Sequence, residues 1–184
     1  MNLIALVRRL LTATLAAAAV AAAHAAQPVR VPELGLTFDL PDAWVAGPLP
    51  ARAPKMDTSD PLALRWRGAA VQGRNGVPVS PGMNLFAFNV PEGFDVVPYS
   101  ATIMARRGWP FKAFLSREKD GPQLPFSTGY LTEFSRDGVT MRMLVVHAVH
   151  QGKFMEITLS ATDDVFPAVE AELRAVLLSV RPAP

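Results

Sequence analysis

Residues 127 to 161 contain three alternating segments joined by two tight turns, and no other feature of the chain constrains its fold as strongly. The segments run over roughly 127–135, 139–150 and 153–161, and the turns read "RDG" and "HQGK". Alternation of apolar and polar side chains with a period of two is the signature of strands, and short Gly-containing connections between such runs make hairpins. The stretch is therefore expected as an antiparallel meander. Its middle segment, "VTMRMLVVHAVH", is apolar on both parities near its centre, so this strand should be covered on both sheet faces.

The same segment carries His147 and His150, three residues apart, a spacing that metal sites use on helices. In a strand the two point to opposite faces: His147 shares the parity of Met141, Met143 and Val145, and His150 that of Leu144, Val146 and Ala148. No Asp, Glu or Cys stands beside them at ligand spacing, so no metal or other cofactor is expected. His147 is expected to be a partly buried neutral residue, and His150 to be exposed at the hairpin end.

The rest of the chain supplies the partners for the meander. "LGLTFDLP" alternates, with Leu34, Leu36, Phe38 and Leu40 on one parity. "LALRWRG" places Leu62, Leu64 and Trp66 opposite Arg65 and Arg67, and "MNLFAFNVP" puts Phe86, Phe88 and Val90 on its apolar side. Between these two strands lies "GAAVQGRNGVPVSPG", residues 68–82, which has no periodicity and reads as a long irregular loop, functional or disordered, with disorder the favoured reading. "PYSATIMARRG" reads as a helix that opens with Pro98 and closes at Gly108. "FKAFLSREKDG" reads as a strand ending in a turn. The closing "DDVFPAVEAELRAVLLSV" has Val165, Val169, Leu173, Val176, Leu177 and Val180 at helical spacing, with Pro167 confined to the first turn. Asp163 and Asp164 just before it are expected to cap its free N–H groups.

Residues 1–25 stand apart from this pattern. Arg8 and Arg9 precede an apolar run from Leu10 to Ala23, and Ala23-His24-Ala25 fits the small-x-small rule for signal cleavage. The run is shorter than the roughly 20 residues a permanent membrane helix needs. Cleavage after Ala25 by the Sec route is expected, leaving one domain over 26–184 in the periplasm or outside the cell, with no membrane insertion after cleavage. The chain has no cysteine, which excludes disulfides, thiolate ligands and a lipoprotein anchor. Of its 18 basic residues two fall in the leader, so 16 basic residues face 16 acidic ones in the remainder. A formally neutral chain has no general attraction for nucleic acid or acidic lipid.

The residues that could carry chemistry form no recognisable reaction site. There is no Gly-x-Ser-x-Gly elbow, no His-Glu-x-x-His and no phosphate-binding Gly-x-x-x-x-Gly-Lys loop. Ser127 and Thr128 in "PFSTGY" have no identifiable base, and Asp57, Ser59 and Asp60 in "KMDTSDP" read as a turn rather than a calcium loop. An enzyme is not expected. Candidate binding residues are Trp109, in "RRGWPF" just past a helix end, with Arg106 and Arg107 beside it and Arg74 and Asn75 in the long loop. Arg and Trp are the residue types that most often anchor interfaces. The alternative for Trp109 is a place in the core, as for Trp44 and Trp66.

The arrangement of "LGLTFDLPDAW", a central helix followed by "FKAFLSREKD", the long meander and a final helix ending "LLSVRP" resembles the PsbP, Mog and DcrB group. The resemblance covers nearly all of residues 26–184 and implies an α+β fold, an antiparallel β-sheet flanked by helices on both faces in an α/β/α sandwich. It implies largely non-enzymatic roles: PsbP-like members assist photosystem II, Mog-like members bind the Ran GTPase, and DcrB-like members are bacterial envelope proteins. No functional residue of those families has a counterpart here. The expectation is an exported binding or assembly-accessory module whose partner is another envelope or secreted protein. A periplasmic small-ligand carrier is the alternative.

Overall fold

Strand alternation and hairpin turns dictate an almost wholly antiparallel architecture. The computed structural model describes residues 26–48, 61–116, 121–124 and 126–184. The leader and the turn at Asp57, Ser59 and Asp60 lie outside the described residues. In chain order the strands are β1 (Ala26–Val31), β2 (Leu36–Pro41), β3 (Val45–Ala46), β4 (Leu62–Arg67), β5 (Val71–Gln72), β6 (Pro78–Val79), β7 (Gly82–Asn89), β8 (Phe111–Phe114), β9 (Phe126–Arg136), β10 (Val139–His150), β11 (Lys153–Thr162) and β12 (Arg181–Pro182). Among the described residues there are two α-helices, α1 (Val96–Arg107) between β7 and β8 and α2 (Phe166–Ser179) between β11 and β12, and a 3-10 turn, Pro32–Leu34, between β1 and β2.

The main sheet has seven strands in the order β3-β4-β7-β11-β10-β9-β8, every neighbour antiparallel. The expected meander forms its middle, because Asp137-Gly138 and Gln151-Gly152 all take positive φ (52°, 77°, 49° and 70°), the backbone that a two-residue hairpin demands. The second sheet, β1-β2-β12, brings Leu34, Leu36, Phe38 and Leu40 into the core, all at most 1% exposed.

Alternation on β10 separates two environments. Leu144, Val146 and Ala148 join Met155, Ile157 and Leu159 of β11, the β2 residues, and Val169, Leu173, Val176 and Leu177 of α2 in one large apolar cluster. Pro167 sits in the first turn of α2, where a missing N–H costs little, as the sequence predicts. Trp44 closes this cluster, and its indole N–H donates to Glu172 Oε1 at 2.7 Å. The residues of opposite parity face α1 instead, whose Ser100 is bonded to His147. A smaller aromatic cluster, Phe88, Val96 and Phe154 with Phe94, Tyr99 and Ile103 packed on it, holds the first half of α1. Asp95 caps α1 by accepting from Val97 N at 3.0 Å, and Gly108 ends it at φ 61°.

Three expectations are corrected. The 68–82 segment is not irregular throughout: β5 pairs with β6 around a turn in which Gly73 N donates to Val77 O and Gly76 N to Gly73 O. On β7 both parities are used, with Met83, Leu85 and Ala87 wholly buried in the large cluster while Phe86 is half-buried on the face taken for the apolar one. Asp163 and Asp164 do not cap α2, because the helix starts two residues later and Val165 stands at its N-cap without a side-chain bond. Asp164 Oδ2 instead accepts from the backbone N–H of Arg74 at 2.6 Å, pinning the β5–β6 turn.

Candidate functional site

Hairpin register builds the most concentrated set of chemical groups among the described residues. Around Gln151-Gly152, β10 and β11 pair so that His147 lies opposite Glu156, on the same face as Tyr130 of β9. Ser100, the fifth residue of α1, is set down on this face, and its Oγ lies 2.6 Å from His147 Nδ1 and 2.8 Å from the Tyr130 hydroxyl. His147 Nε2 is 2.8 Å from Glu156 Oε2. Arg107, from the last turn of α1, closes the chain as a fork on the carboxylate, Nη1 2.8 Å from Oε2 and Nη2 3.0 Å from Oε1.

Donor and acceptor chemistry orders these contacts. An ionised carboxylate can only accept, so the proton facing Glu156 sits on His147 Nε2, and in a neutral ring Nδ1 then accepts from Ser100 O–H. Ser100 Oγ is left to accept from Tyr130 O–H. The chain runs Tyr130 to Ser100 to His147 to Glu156, with Arg107 donating from the far side. Burial alone pushes the Glu156 carboxyl up, but the His147 hydrogen bond and the Arg107 charge together outweigh it and hold the group below the usual carboxylate range.

A hydroxyl, an imidazole and a carboxylate in series are the parts of a nucleophilic triad, and the difference from one is instructive. The ring nitrogens are exchanged relative to the usual arrangement, with Nδ1 toward the hydroxyl and Nε2 toward the acid. Ser100 and His147 are both 0% exposed, and Glu156 is 7% exposed. Ser100 lines none of the three clefts at 90–97, at Arg74–Asp164 and at Leu115–Gly129. The geometry locks α1 to the sheet through satisfied polar groups rather than presenting a nucleophile.

His147 is thus wholly buried and has an acid beside it, which corrects both the partial burial and the absence of a carboxylate expected from the sequence. His150 is half-buried, not exposed, and stands on the opposite parity, opposite Lys153. Among the described residues no three His, Cys, Asp or Glu side chains group as metal ligands do.

The candidate binding residues divide into two places. Arg107 and Trp109 are in contact, the guanidinium 4.5 Å above the indole, and Trp109 also packs on Phe134 at 5.7 Å between centroids. Trp109 is half-buried, between the two alternatives read from the sequence, and Arg106 is exposed. Arg74 and Asn75 are exposed and line a different cleft with Val139, Asp163 and Asp164. The sequence reading passed over a larger, apolar cleft of about 860 Å³ between the segment 90–97, Ser127, Val149 and Gly152. It also passed over Phe111 and Phe114 of β8, 50% and 72% exposed.

No protein-family model matches the sequence, and no curated protein matches it. Solved structures do resemble the fold. The cyanobacterial PsbP of Synechocystis superposes with a TM-score of 0.55 at 15% identity, covering 86% of this chain and 93% of that one. A protein of unknown function from Pseudomonas aeruginosa superposes with a TM-score of 0.53, also at 15% identity, over 86% of this chain and 98% of the other. LpqN of Mycobacterium tuberculosis, described as involved in cell envelope biogenesis, superposes more loosely, with a TM-score of 0.49 at 16% identity over 87% of this chain and 91% of the other. The fold is PsbP-like and α+β. At these identities the likeness speaks of fold alone.

Proposed function

We propose that this PsbP-like chain is an exported, non-enzymatic binding or assembly-accessory module of the bacterial envelope, built as a sheet with one helix on each face. The observation that carries the reading is the fate of the hydroxyl–imidazole–carboxylate set: its members are sealed under α1 and bonded to one another, while the large open features of the described surface are apolar or aromatic. A surface with Trp109 stacked under Arg107 suits partner recognition better than turnover. Export rests on the leader at 1–25. The partner is another envelope or secreted protein.

Protein isolated from the periplasm of its own host tests this. Intact-mass measurement is expected to show a chain starting at Ala26, and mass spectrometry a protein that co-purifies in fixed ratio and is lost on Trp109→Ala. A fluorophosphonate probe is expected to leave Ser100 unmodified; stoichiometric labelling of Ser100 would overturn the non-enzymatic reading. A second reading, a carrier of a small apolar ligand, is favoured by the cleft at 90–97, whose volume falls within the range of ligand pockets and whose wall includes Val90, Phe94, Val97 and Val149. A small molecule retained in native mass spectra, and displaced in Val149→Trp, would select it.

A further inference from the structure

On the face of the main sheet turned away from the large apolar cluster, β4 carries two arginines two residues apart, Arg65 and Arg67. Register sets a polar row beside them, in which Arg65 stands opposite Asn84 of β7, and Asn84 opposite Thr158 of β11. The next row is Arg67, Gly82 and Ser160. Alternate residues of a strand share a face, so these side chains point to the side that also carries Glu156. Arg65, Asn84 and Ser160 are half-buried, Thr158 is buried and Arg67 is exposed. Gly82 leaves a gap in the floor, since a Cβ at that position would meet only the Trp66 carbonyl oxygen, at 3.5 Å.

What this face lacks is an acid. Five of the described arginines are half-buried, and four of them, Arg107, Arg142, Arg174 and Arg181, meet a carboxylate at 3.3 Å or less. Arg65 is the fifth, and among the described residues neither it nor Arg67 takes part in an ion pair. Glu156, two residues from Thr158 on β11, is already held by His147 and Arg107. Arg65 Nε and Asn84 Oδ1 are buried without a hydrogen-bond partner. Burial, and after it the like charge of Arg67, hold the Arg65 guanidinium below its usual pKa, although an arginine stays charged.

A half-buried guanidinium with a second one beside it and no counter-charge destabilises the free chain. An anion seated against both supplies what is missing, and the guanidinium fork matches an acceptor with two oxygens. We propose that Arg65, Arg67, Asn84, Thr158 and the gap over Gly82 form a binding site for a small molecule that carries an oxyanion, a carboxylate or a phosphate group. The arginines take its charge, the Thr158 hydroxyl donates to it, and Asn84 Oδ1 accepts from a hydroxyl or N–H of the same ligand. A flat anionic surface meets exposed cations, whereas Arg65, Asn84 and Thr158 are set into the sheet and only Arg67 stands out. Beyond the leader the chain has 16 basic and 16 acidic residues, so the attraction is local to this pair rather than a property of the whole surface. The site shares no residue with the apolar cleft at 90–97 or with the Trp109 corner, and it goes beyond the module reading.

Titration of the exported protein with sodium phosphate and, separately, with sodium benzoate, at an ionic strength held constant with chloride, tests the proposal through the arginine Nε–Hε and backbone amide NMR signals. Saturable shifts at Arg65, Asn84 and Thr158 are expected with at least one of the two, at a dissociation constant of about 10⁻³ M or tighter, and the anion that binds tells phosphate from carboxylate. Arg65→Met, Arg67→Met and Gly82→Val are each expected to weaken that binding at least tenfold. Arg67 is exposed and Gly82 does not take a positive φ, so these two variants are expected to fold as the wild type does. Free Arg65→Met protein is expected to melt no lower than the wild type, because it loses an unpaired charge rather than an ion pair. Absence of saturation with both anions overturns the proposal, as does saturation that persists unchanged in any of the three variants. A lower melting temperature for free Arg65→Met would reveal a partner for Arg65 within the chain and overturn it as well. So does binding to phosphatidylglycerol vesicles with neither small anion bound, which would assign the arginines to a lipid surface. The module reading stands or falls separately, on the co-purifying partner.

Discussion

The two sides of β10 solve one problem in different ways. On the side of Leu144, Val146 and Ala148, α2 and β2 make a cluster whose members are almost all apolar, and stability there comes from area removed from water. On the side of His147, one residue away along the strand, α1 is held by a hydrogen-bonded series from Tyr130 to Arg107. An apolar interface tolerates small rotations of the helix. A polar one accepts a single placement, because each buried donor left without its acceptor costs more than the bond contributes when made. The apolar side makes the fold stable, and the polar side fixes where α1, and with it Arg107 and Trp109, must stand.

The largest effect is expected on the dry side. Leu173 of α2 is 0% exposed, and Leu173→Asp would bury a carboxylate without a partner. Urea denaturation followed by circular dichroism should show a loss of roughly 4–5 kcal/mol or failure to fold. A variant that melts like the wild type would mean that α2 is not packed as described, and the contrast between the two sides would collapse.

The polar side should respond less strongly and with a pH signature. Glu156→Ala leaves Arg107 and His147 facing an empty site and is expected to cost about 3 kcal/mol, whereas replacing His147, Glu156 and Arg107 together by apolar residues of similar volume should cost far less. Burial raises the Glu156 carboxyl, His147 and Arg107 lower it by more, and the net position lies below the ordinary value of 4.5. A carboxylate depressed in the folded state stabilises fully above its unfolded pKa, and that contribution fades as pH falls from about 4.5 through the folded value. Acid titration of stability should therefore show a steeper fall for the wild type than for Glu156→Gln below pH about 4.5. Equal slopes would show that the carboxylate is not held as the geometry requires.

Much of this difference could be read from the sequence, and part of it was within reach but missed. Alternation assigned the meander, and parity put His147 and His150 on opposite faces. Two-residue turns fix register as well as direction, so Gln151-Gly152 alone places His147 opposite Glu156, and a partner for the histidine was available from counting outward along the hairpin. Ser100 and Arg107 were not available in this way. Nothing local sets the rotation of α1 or the strand it crosses, and both residues reach the sheet through tertiary packing. Asp163 and Asp164 misled because an acid before a helix fits a cap equally well whether or not the helix begins beside it; the first helical residue is Phe166.

Trp109 tests the boundary between the two regimes. It is half-buried, stacked on Arg107 and tilted against Phe134, so Trp109→Ala should destabilise by about 1–2 kcal/mol, below the roughly 3–5 kcal/mol of a fully buried aromatic. Thermal or urea unfolding measures it. A loss at the upper figure would move Trp109 into the core and leave Arg106 and Arg107 as the candidate contacts on that corner. A loss near zero would detach it from Arg107.

The smallest effect is expected at Asp164, where a polar contact again fixes position but is not buried. Its Oδ2 accepts from Arg74 N at 2.6 Å, and that backbone bond holds its carboxyl below the usual range. Water can replace the acceptor at an exposed site, so global unfolding should hardly change on Asp164→Ala. The local consequence is different. The turn between β5 and β6 is also closed by Gly73 N to Val77 O, Gly76 N to Gly73 O and Gln72 Nε2 to Gly76 O, none of which engages the Arg74 amide, so losing the aspartate should speed amide hydrogen exchange at Arg74 while leaving the β10 and β11 amides unaffected. Unchanged exchange at Arg74 would mean that the hairpin holds its shape without Asp164. Faster exchange across β10 and β11 as well would mean that the turn is coupled to the core, and the division between a placing contact and a stabilising one would fail at the point where it should be cleanest.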